Sequence, residues 1–352
     1  MSTHNIVFLK DTWWSLERCS PEGTILEELL ADGVEHVPGL VWHGVIPSTL
    51  PDQDPCVLTD DDFEIQVTMY CDYVQEPWAY SMRGNSLLTG RRSHYRLVVD
   101  TVGYPLESFS GTAELLHATY NVFHALRQAF TKSSRLHRDV SLANIILVRE
   151  GDAAVRRGVL IDWDASAPVN ETGRSVVLGV AGTYPFISLA MIQSSNDRAQ
   201  TLLDDIESLI YVVIYCAYLW LPHDRNKEDL EYCVYQMFDA RFPPSEYRLI
   251  HGRGKAINLE DQRYTSDFHW PQLFRDWLST VLNYRAPPFP LIAEFEGKWE
   301  DPEHLDEIAL RTTILVLAQR NLYRSHIKAP LLPAIALVYT PRPPQSPGQL
   351  LD

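Results

Sequence analysis

A short polar motif, and the apolar run that follows it, constrain the fold of this chain more than any other feature. His137-Arg138-Asp139 is followed five residues later by Asn144, and an apolar run then ends at Asp162. Three polar groups in this order, with an apolar strand leading into the last one, are far more specific than an isolated three-residue motif. The alternative is a turn whose polar groups are satisfied locally. The segment is therefore a candidate active site.

These residue types suit the transfer of a phosphoryl group. That reaction needs a carboxylate facing the acceptor hydroxyl, and oxygen ligands that hold Mg²⁺ against the nucleotide phosphates. Asp139 can supply the carboxylate, and Asn144 with Asp162 can supply the oxygen ligands. The sequence therefore predicts Asp139 and Asn144 as catalytic residues, Asn144 and Asp162 as metal ligands, and ATP with Mg²⁺ as cofactors.

Composition limits the classes of protein to which the chain can belong. Its 352 residues are 45% hydrophobic and include nine tryptophans, enough for a sizeable core. A formal net charge of −16 argues against a general binder of nucleic acids or anionic membranes. The longest apolar run, about 14 residues from Ser208 to Leu221, is too short to span a bilayer. We expect neither nucleic acid nor a membrane as a partner.

The five cysteines favour a reducing compartment. They are scattered and form no C-x-x-C pair, which argues against a zinc site or a disulfide framework. The residues after Met1 lack the apolar core of a signal peptide. We therefore expect an intracellular protein, either cytoplasmic or nuclear.

Hydrophobic periodicity predicts a β-rich first part and a helical second part. The predicted strands cover residues 5–10, 38–45, 95–99, 145–148 and 159–161, and the predicted helices cover residues 21–33, 112–130, 204–221, 270–282 and 304–323. The candidate active site follows directly after the first long helix of the second part. This order of elements is that of a protein kinase.

The chain resembles the protein-kinase-like superfamily, and within it the kinase domains described as specific to fungi. The motifs that carry the resemblance lie within roughly residues 5–222 and are Leu9-Lys10-Asp11-Thr12-Trp13, His137-Arg138-Asp139-Val140-Ser141, Leu160-Ile161-Asp162-Trp163-Asp164, Gly182-Thr183-Tyr184-Pro185-Phe186 and Asp204-Asp205-Ile206-Glu207-Ser208. The resemblance implies an α+β fold with two lobes. A truncated, β-rich small lobe would cover residues 1–101, a mainly helical large lobe residues 102–340, and a disordered tail residues 341–352.

The resemblance also implies a phosphate clamp on the small lobe. Lys10 is implied to contact the nucleotide phosphates, as both a catalytic and a cofactor-binding residue. Its partner is implied to be Glu22 on the next helix, with Glu28 as the weaker candidate. The alternative is that Lys10 is an ordinary solvated lysine in a strand.

A nucleotide-binding connector is implied at the end of the strand over residues 95–99. Val99 would lie beside the adenine, and the backbone from Asp100 to Val102 would form hydrogen bonds with it. The alternative is an ordinary connection between a strand and a loop.

Further implied roles concern the loop that carries the central motif. Arg138 would bind negative charge from the activation segment, which follows Asp162, or else form a structural ion pair. Asp205 stands beside Ile206 on a strongly apolar helix, and a carboxylate in such surroundings needs hydrogen-bond donors. We expect the backbone of the His-Arg-Asp turn to supply them, and His137 to be a packing residue.

The chain departs from the family pattern around these residues. Ser141 stands two residues after Asp139, where kinases acting on serine or threonine usually place a lysine that contacts the moving phosphate. Asp164 replaces the glycine expected two residues after Asp162, which reduces backbone freedom but offers a further metal ligand. Residues 188–190 are Ser-Leu-Ala instead of A-P-E, so the usual anchoring glutamate is absent.

The chain also begins at the strand that carries Lys10. It has no G-x-G-x-x-G pattern and no room for the two strands that bear it, so we expect a truncated small lobe. The backbone N–H groups of such a turn cover the phosphates. We therefore expect weak ATP binding, with poor or undetectable catalysis.

Three functions stay open at this point. The first is an ATP- and Mg²⁺-dependent phosphotransferase that acts on serine or threonine of an unidentified protein, with Asp139 as the base. The second is a pseudokinase, a binding module favoured by Ser141 and by the missing glycine-rich turn. The third is a kinase acting on a small molecule, suggested by the paired carboxylates Asp162 and Asp164.

Overall fold

The fold begins with a β-sheet and a covering helix in the N-terminal third of the chain, and most of the chain from residue 92 to residue 285 can be described as well. The computed structural model describes residues 6–15, 20–47, 66–68, 81–82, 85–86, 92–151, 153, 155–193, 198–239 and 252–285. These residues fall into two units that divide between Pro271 and Gln272. All the candidate site residues belong to the first unit, and the predictions for residues 304–323 and 341–352 lie outside the described residues.

The described residues of the N-terminal part form five strands and one helix. They are β1 (Phe8–Ser15), α1 (Glu22–Ala31), β2 (Leu40–Val45), β3 (Ser81–Met82), β4 (Asn85–Ser86) and β5 (Arg92–Val99). β1, β5 and β2 form an antiparallel sheet with β5 in the centre, and β3 pairs with β4. β1 extends further than the strand predicted over residues 5–10, because it pairs with β5 along its whole length, from Phe8 opposite Val99 to Ser15 opposite Arg92.

α1 packs closely against this sheet. Ile25, Leu26 and Leu29 are buried on its apolar face, at the spacing that predicted a helix. Gly23 permits the close contact, since a Cβ atom there would lie only 2.1 Å from the His43 ring. The backbone N–H of Gly23 also donates to the Tyr95 hydroxyl at 2.9 Å. The first turn of α1 is thereby fixed against the sheet.

The rest of the first unit is mainly helical, with short strands around the candidate site. Its elements are β6 (Tyr104–Pro105), α2 (Thr112–Ser133), β7 (Arg135–Leu136), β8 (Ile145–Val148), β9 (Arg157–Leu160), β10 (Ala167–Pro168), β11 (Arg174–Leu178), α3 (Leu189–Gln193), β12 (Ala199–Thr201), α4 (Leu202–Trp220), α5 (Lys227–Val234) and α6 (Arg253–Asp261). The strands form three antiparallel sets, β6-β8-β9, β7-β10 and β11-β12. α2 packs on α4 and on β9, and these contacts form the core.

The second unit, as far as it is described, consists of α7 (Gln272–Arg285). Two of its aromatic rings, Phe274 and Trp277, lie 5.6 Å apart between centroids. None of the helices within the described ranges combines the length and the apolar character needed to cross a membrane.

The predicted elements agree with the structure where it describes them. The helices over residues 112–130, 204–221 and 270–282 correspond to α2, α4 and α7, and the strand over 145–148 corresponds to β8. The α+β class is confirmed, and the order of elements is consistent with a kinase-like fold. The division into two lobes at residue 101, and the boundary of the tail, stay predictions.

Candidate active site

A buried carboxylate holds the loop that carries the His-Arg-Asp motif. One oxygen of Asp205 accepts the backbone N–H of His137 at 2.9 Å, and the other accepts that of Arg138 at 3.0 Å. Asp205 lies in the first turn of α4 and is 1% exposed. Burial raises the pKa of Asp205 to about 7, although the two N–H donors oppose this rise. The expected contact between Asp205 and the motif is confirmed.

Two residues of the site have a left-handed backbone conformation. Arg138 has φ 70° and Asp162 has φ 64°, values that are uncommon outside glycine and that tend to occur where the surrounding structure fixes a functional residue. Arg138 Nε donates to Gln200 Oε1 at 2.9 Å, and its Nη atoms lie 3.4 Å from the carbonyl oxygens of Ala165 and Gly179. These three contacts are with neutral groups. The role of Arg138 in binding negative charge stays a prediction.

Lys10 projects from β1 into a group of carboxylates. Its Nζ lies 2.6 Å from Glu22 Oε2, 2.6 Å from Asp162 Oδ1 and 3.0 Å from Asp164 Oδ2. Burial on its own would lower the pKa of Lys10, but the three carboxylates outweigh burial and hold that pKa above its usual value. The side chain is therefore a charged member of an ion-pair network, not a lysine solvated on a strand.

Glu22 connects this network to the buried core. It is 3% exposed, and its second oxygen accepts the backbone N–H of Trp163 at 2.9 Å. The Trp163 ring packs edge-on against the His137 ring, with centroids 4.7 Å apart. Burial lowers the pKa of His137, so its imidazole is neutral at physiological pH. His137 is thus a packing residue, as expected from the sequence.

Glu28, the weaker candidate for the partner of Lys10, pairs with a different cation. Its Oε2 accepts from Arg135 Nη2 at 2.7 Å. Arg135 is 7% exposed, lies in β7 just before the central motif, and also reaches Ser166 Oγ at 3.4 Å. α1 is therefore attached at two points, through Glu22 to the β1 lysine and through Glu28 to the strand that leads into the motif.

A cavity of about 310 Å³ opens beside Lys10. Its polar end is formed by Lys10, Glu22, Asn144 and Asp162. The rest of the lining is mainly apolar and includes Leu26, Leu97, Val99, Val102, Ile146 and Ile161. A cavity of this size, apolar with a few convergent polar groups, is typical of small-molecule and cofactor sites. The structure thus brings most of the predicted site residues to one place.

Asp100 is the predicted cofactor-binding residue that the structure does not bring into this lining. The connector contributes Thr101, Val102 and Gly103 instead. The side chain of Asp100 is exposed, and its backbone N–H donates to Gly39 O at 2.9 Å. The part of the connector that faces the cavity is therefore shifted by one residue from the predicted range 100–102.

Asp139 and Asn144 are linked to each other, and Asp139 also contacts a residue whose role the sequence did not suggest. Asn144 Nδ2 donates to Asp139 O at 2.9 Å, which leaves the amide oxygen as the atom that can serve a cation. Asp139 Oδ1 accepts from both the backbone N–H and the hydroxyl of Thr183, each at 2.8 Å. The available signal for Thr183 was its place in the motif over residues 182–186.

Oxygen atoms suited to a divalent cation lie close together at the polar end of the cavity. Within the described part of the chain, carboxylate oxygens of Glu22, Asp162 and Asp164 lie within 4.8 Å of one another. Asn144 lines the same cavity. Carboxylate and amide oxygens are the protein ligands that Mg²⁺ takes. The donor set fits Mg²⁺: Asp162 and Asn144 could serve as ligands, and Asp164 lies close enough to Asp162 to join them.

An ion-paired lysine on a strand that shares an apolar cavity with Asn144 and Asp162, both of which follow a His-Arg-Asp loop, is the arrangement found in protein kinases. Residues 2–217 match the family described as fungal protein kinase. The match covers more than half of the chain, and the chain belongs to this family. A comparison with curated proteins finds no match. The family resemblance drawn from the sequence motifs is confirmed, and with it a kinase-like function in general terms.

Proposed function

We propose that this protein is an ATP- and Mg²⁺-dependent phosphotransferase that phosphorylates serine or threonine on a protein substrate. The observation that carries the proposal is the contact of Lys10 with Glu22 and Asp162 at the polar end of an apolar cavity. An ammonium group held in this place suits the binding of phosphate oxygens, and the apolar lining suits a purine base.

Different residues of the cavity bind different parts of the nucleotide. Lys10 binds phosphate oxygens, and Glu22 holds the Lys10 ammonium in position. Val99 and the connector residues Val102 and Gly103 contact the base. Asn144 and Asp162 would hold Mg²⁺, which, when bound, neutralises charge on the phosphates.

Asp139 acts on the acceptor. Thr183 engages Asp139 Oδ1 with two hydrogen bonds, so Oδ2 is the oxygen that accepts the hydroxyl proton. The two hydrogen bonds also restrict rotation of the carboxylate, which keeps Oδ2 in one direction. A base positioned in this way contributes roughly 10²- to 10⁴-fold to the rate.

A binding module without catalysis is a second candidate, favoured by one observation. Ser141, which occupies the place of the usual phosphate-contacting lysine, is 2% exposed and brings no charge. A kinase for a small molecule is a third candidate, because the carboxylate of Asp164 lies beside that of Asp162 at Lys10.

The test is the transfer of radiolabelled phosphate from ATP to dephosphorylated casein in the presence of Mg²⁺. We expect label on serine or threonine, and loss of the label with EDTA or in Asp162→Asn. The matched control is Asp267→Asn, because the side chain of Asp267 is 72% exposed. Absence of transfer, with binding of a fluorescent ATP analogue retained, would favour the binding module. Label on hydroxylated or aminated small molecules instead of casein would favour the third candidate.

A further inference from the structure

The segment of residues 183–193, hereafter the 183–193 segment, is anchored although it lacks the usual glutamate. Ser188 Oγ donates to Asp204 Oδ1 at 2.5 Å. The backbone N–H of Leu189, at the start of α3, donates to Glu207 Oε1 at 2.8 Å. Both carboxylates are 2% exposed. α4 thus supplies from outside the segment the negative charge that the segment itself does not contain.

A third anchor comes from Lys255 in α6. Its Nζ donates to Ile187 O at 2.7 Å and lies 4.2 Å from the centre of the Tyr211 ring. Lys255 is 2% exposed, and a buried ammonium is costly unless hydrogen bonds, opposite charges or aromatic faces compensate. Burial lowers the pKa of Lys255 to about 7, and the nearby Glu207 carboxylate opposes this. Lysine is rarely kept at such a position without a specific partner.

The packing of α6 explains how Lys255 reaches this position. A Cβ atom at Gly254 would lie 2.0 Å from Gln236 O, and one at Gly252 would lie 2.8 Å from Leu189 Cδ1. Larger residues at either glycine would push the start of α6 away from its neighbours. The two glycines therefore let the backbone approach closely enough for Lys255 to meet the 183–193 segment.

The anchored part of the segment lies next to the part that contacts Asp139. Thr183, which donates two hydrogen bonds to Asp139, precedes Ile187 by a single short turn. Phe186 within this turn is 5% exposed and packs perpendicular to the Tyr215 ring. A shift of the Ile187 carbonyl would therefore also move Thr183. Misplacement of a reacting group by about 1 Å can cost roughly 100-fold in rate.

We propose that Lys255 is a positioning residue for the acceptor side of the active site: it holds the 183–193 segment so that Thr183 keeps Asp139 in its orientation. The proposal rests on the proposed function for its effect on catalysis, but its structural part stands apart from that function. Lys255 lies outside residues 2–217, the part of the chain that matches the family.

The main experiment compares hydrogen exchange in the parent chain and in Lys255→Met, which keeps the length but removes the charge and the donor. We expect backbone amides of the 183–193 segment to exchange about tenfold faster, the change that loss of one hydrogen bond produces. Exchange in α2 should not change. The matched control is Lys227→Met, because Lys227 is 80% exposed. Equal exchange in the 183–193 segment of parent and Lys255→Met would overturn the proposal.

Kinetics then connect this change to function. With casein as acceptor, Lys255→Met should lower kcat, while the dissociation constant for a fluorescent ATP analogue with Mg²⁺ stays unchanged and Lys255→Arg recovers part of kcat. A parallel loss of nucleotide affinity would contradict positioning of the acceptor side. If the parent chain transfers no phosphate at all, the proposed function fails, and the exchange result still decides the role of Lys255. If Lys255→Met does not fold, Lys255→Gln is compared in the same way, because its side chain is one bond shorter and cannot bring an N–H donor to the place of Nζ beside Ile187 O. Faster exchange in the segment supports the proposal, and equal exchange overturns it.

Discussion

The two sides of the candidate active site are stabilised in different ways. On the nucleotide side, the side chains of Lys10, Asp162 and Asp164 are 25%, 41% and 32% exposed. On the acceptor side, Glu207 and Lys255 are each 2% exposed. Partly exposed ion pairs exchange partners at little cost, whereas a buried charge that loses its partner is strongly destabilising. Asp162 and Asp164 on the nucleotide side can therefore rearrange around a ligand beside the buried Glu22, whereas the anchor formed by Lys255 and Glu207 on the acceptor side is fixed in advance.

The two sides of the site also differ in how many of the residues expected from the family pattern are present. On the nucleotide side, Lys10, Glu22 and Asp162 are the residue types that the family implies, although Asp164 replaces the expected glycine, and all four lie within the matched residues 2–217. The acceptor side has lost the expected cation at Ser141 and the expected glutamate at Ala190. The anchors that hold it instead come from α4 and α6. Loss of a motif residue therefore does not imply loss of the structure that it supports.

The largest expected effect is that of Asp139→Ala, which tests whether the two sides work separately. Phosphoryl transfer should fall by roughly 10²- to 10⁴-fold, because the base for the acceptor hydroxyl is lost. Affinity for a fluorescent ATP analogue should be retained, since Asp139 is outside the cavity lining. The measurement is label transfer together with analogue titration. Equal transfer by variant and parent would assign the activity to a contaminant or to another residue.

The next effect concerns Mg²⁺ on the nucleotide side. Asp162→Asn should weaken Mg²⁺-dependent nucleotide binding by roughly 10- to 100-fold, the scale of disturbed metal sites. Calorimetric titration of MgATP measures it, with Asp164→Asn as the matched variant on the other carboxylate. A weaker effect in Asp164→Asn would identify Asp162 as the principal ligand. Unchanged affinity in Asp162→Asn would remove Asp162 from the metal site.

A third expectation concerns stability. Asp205→Ala should lower the free energy of unfolding more than Asp139→Ala does, by about 1–3 kcal/mol, because it leaves two buried N–H donors without an acceptor. Asp139 is less buried, and its loss leaves the exposed Thr183 hydroxyl free to bind water. Urea titrations of both variants supply the comparison. The reverse order would show that Asp205 does not hold the motif loop.

The most gradual expected effect, spread over several pH units, is a pH dependence on the acceptor side. Burial places the pKa of Lys255 at about 7 in the folded chain, below its usual value of 10.5, so the unfolded chain binds more protons between these values. Stability of the parent relative to Lys255→Met should therefore rise with pH across this window, by up to about 1.4 kcal/mol per pH unit. Urea titrations at several pH values above 7 measure the difference. Parallel stability curves for the two proteins would show that the pKa of Lys255 in the folded chain is not lowered from its unfolded value.

The sequence predicted those parts of the fold and site that depend on local patterns. The apolar periodicity of α2 and β8 and the burial of Asp205 follow from residues within one turn or strand. Lys255 could not be predicted, because its partner Ile187 is 68 residues away and the stretch around it is polar. Asp100 fell outside the cavity for a similar reason: its N–H is taken by Gly39, on the chain before β2. Contacts between residues far apart in the sequence determine where these side chains lie, and such contacts cannot be predicted from a local sequence pattern.

The position of Lys255 has a practical consequence for how the protein is produced. A recombinant fragment limited to residues 2–217, the region that family matching would select, keeps every recognised motif. Such a fragment would end inside α4 and would lack α6. The Ile187 carbonyl would then have no Lys255 side chain to donate a hydrogen bond to it. Under the role proposed for Lys255, activity screens on such a fragment would record a weak or inactive enzyme because of where the chain was cut. Fragments for biochemical work should extend at least through Pro271, where the first unit ends.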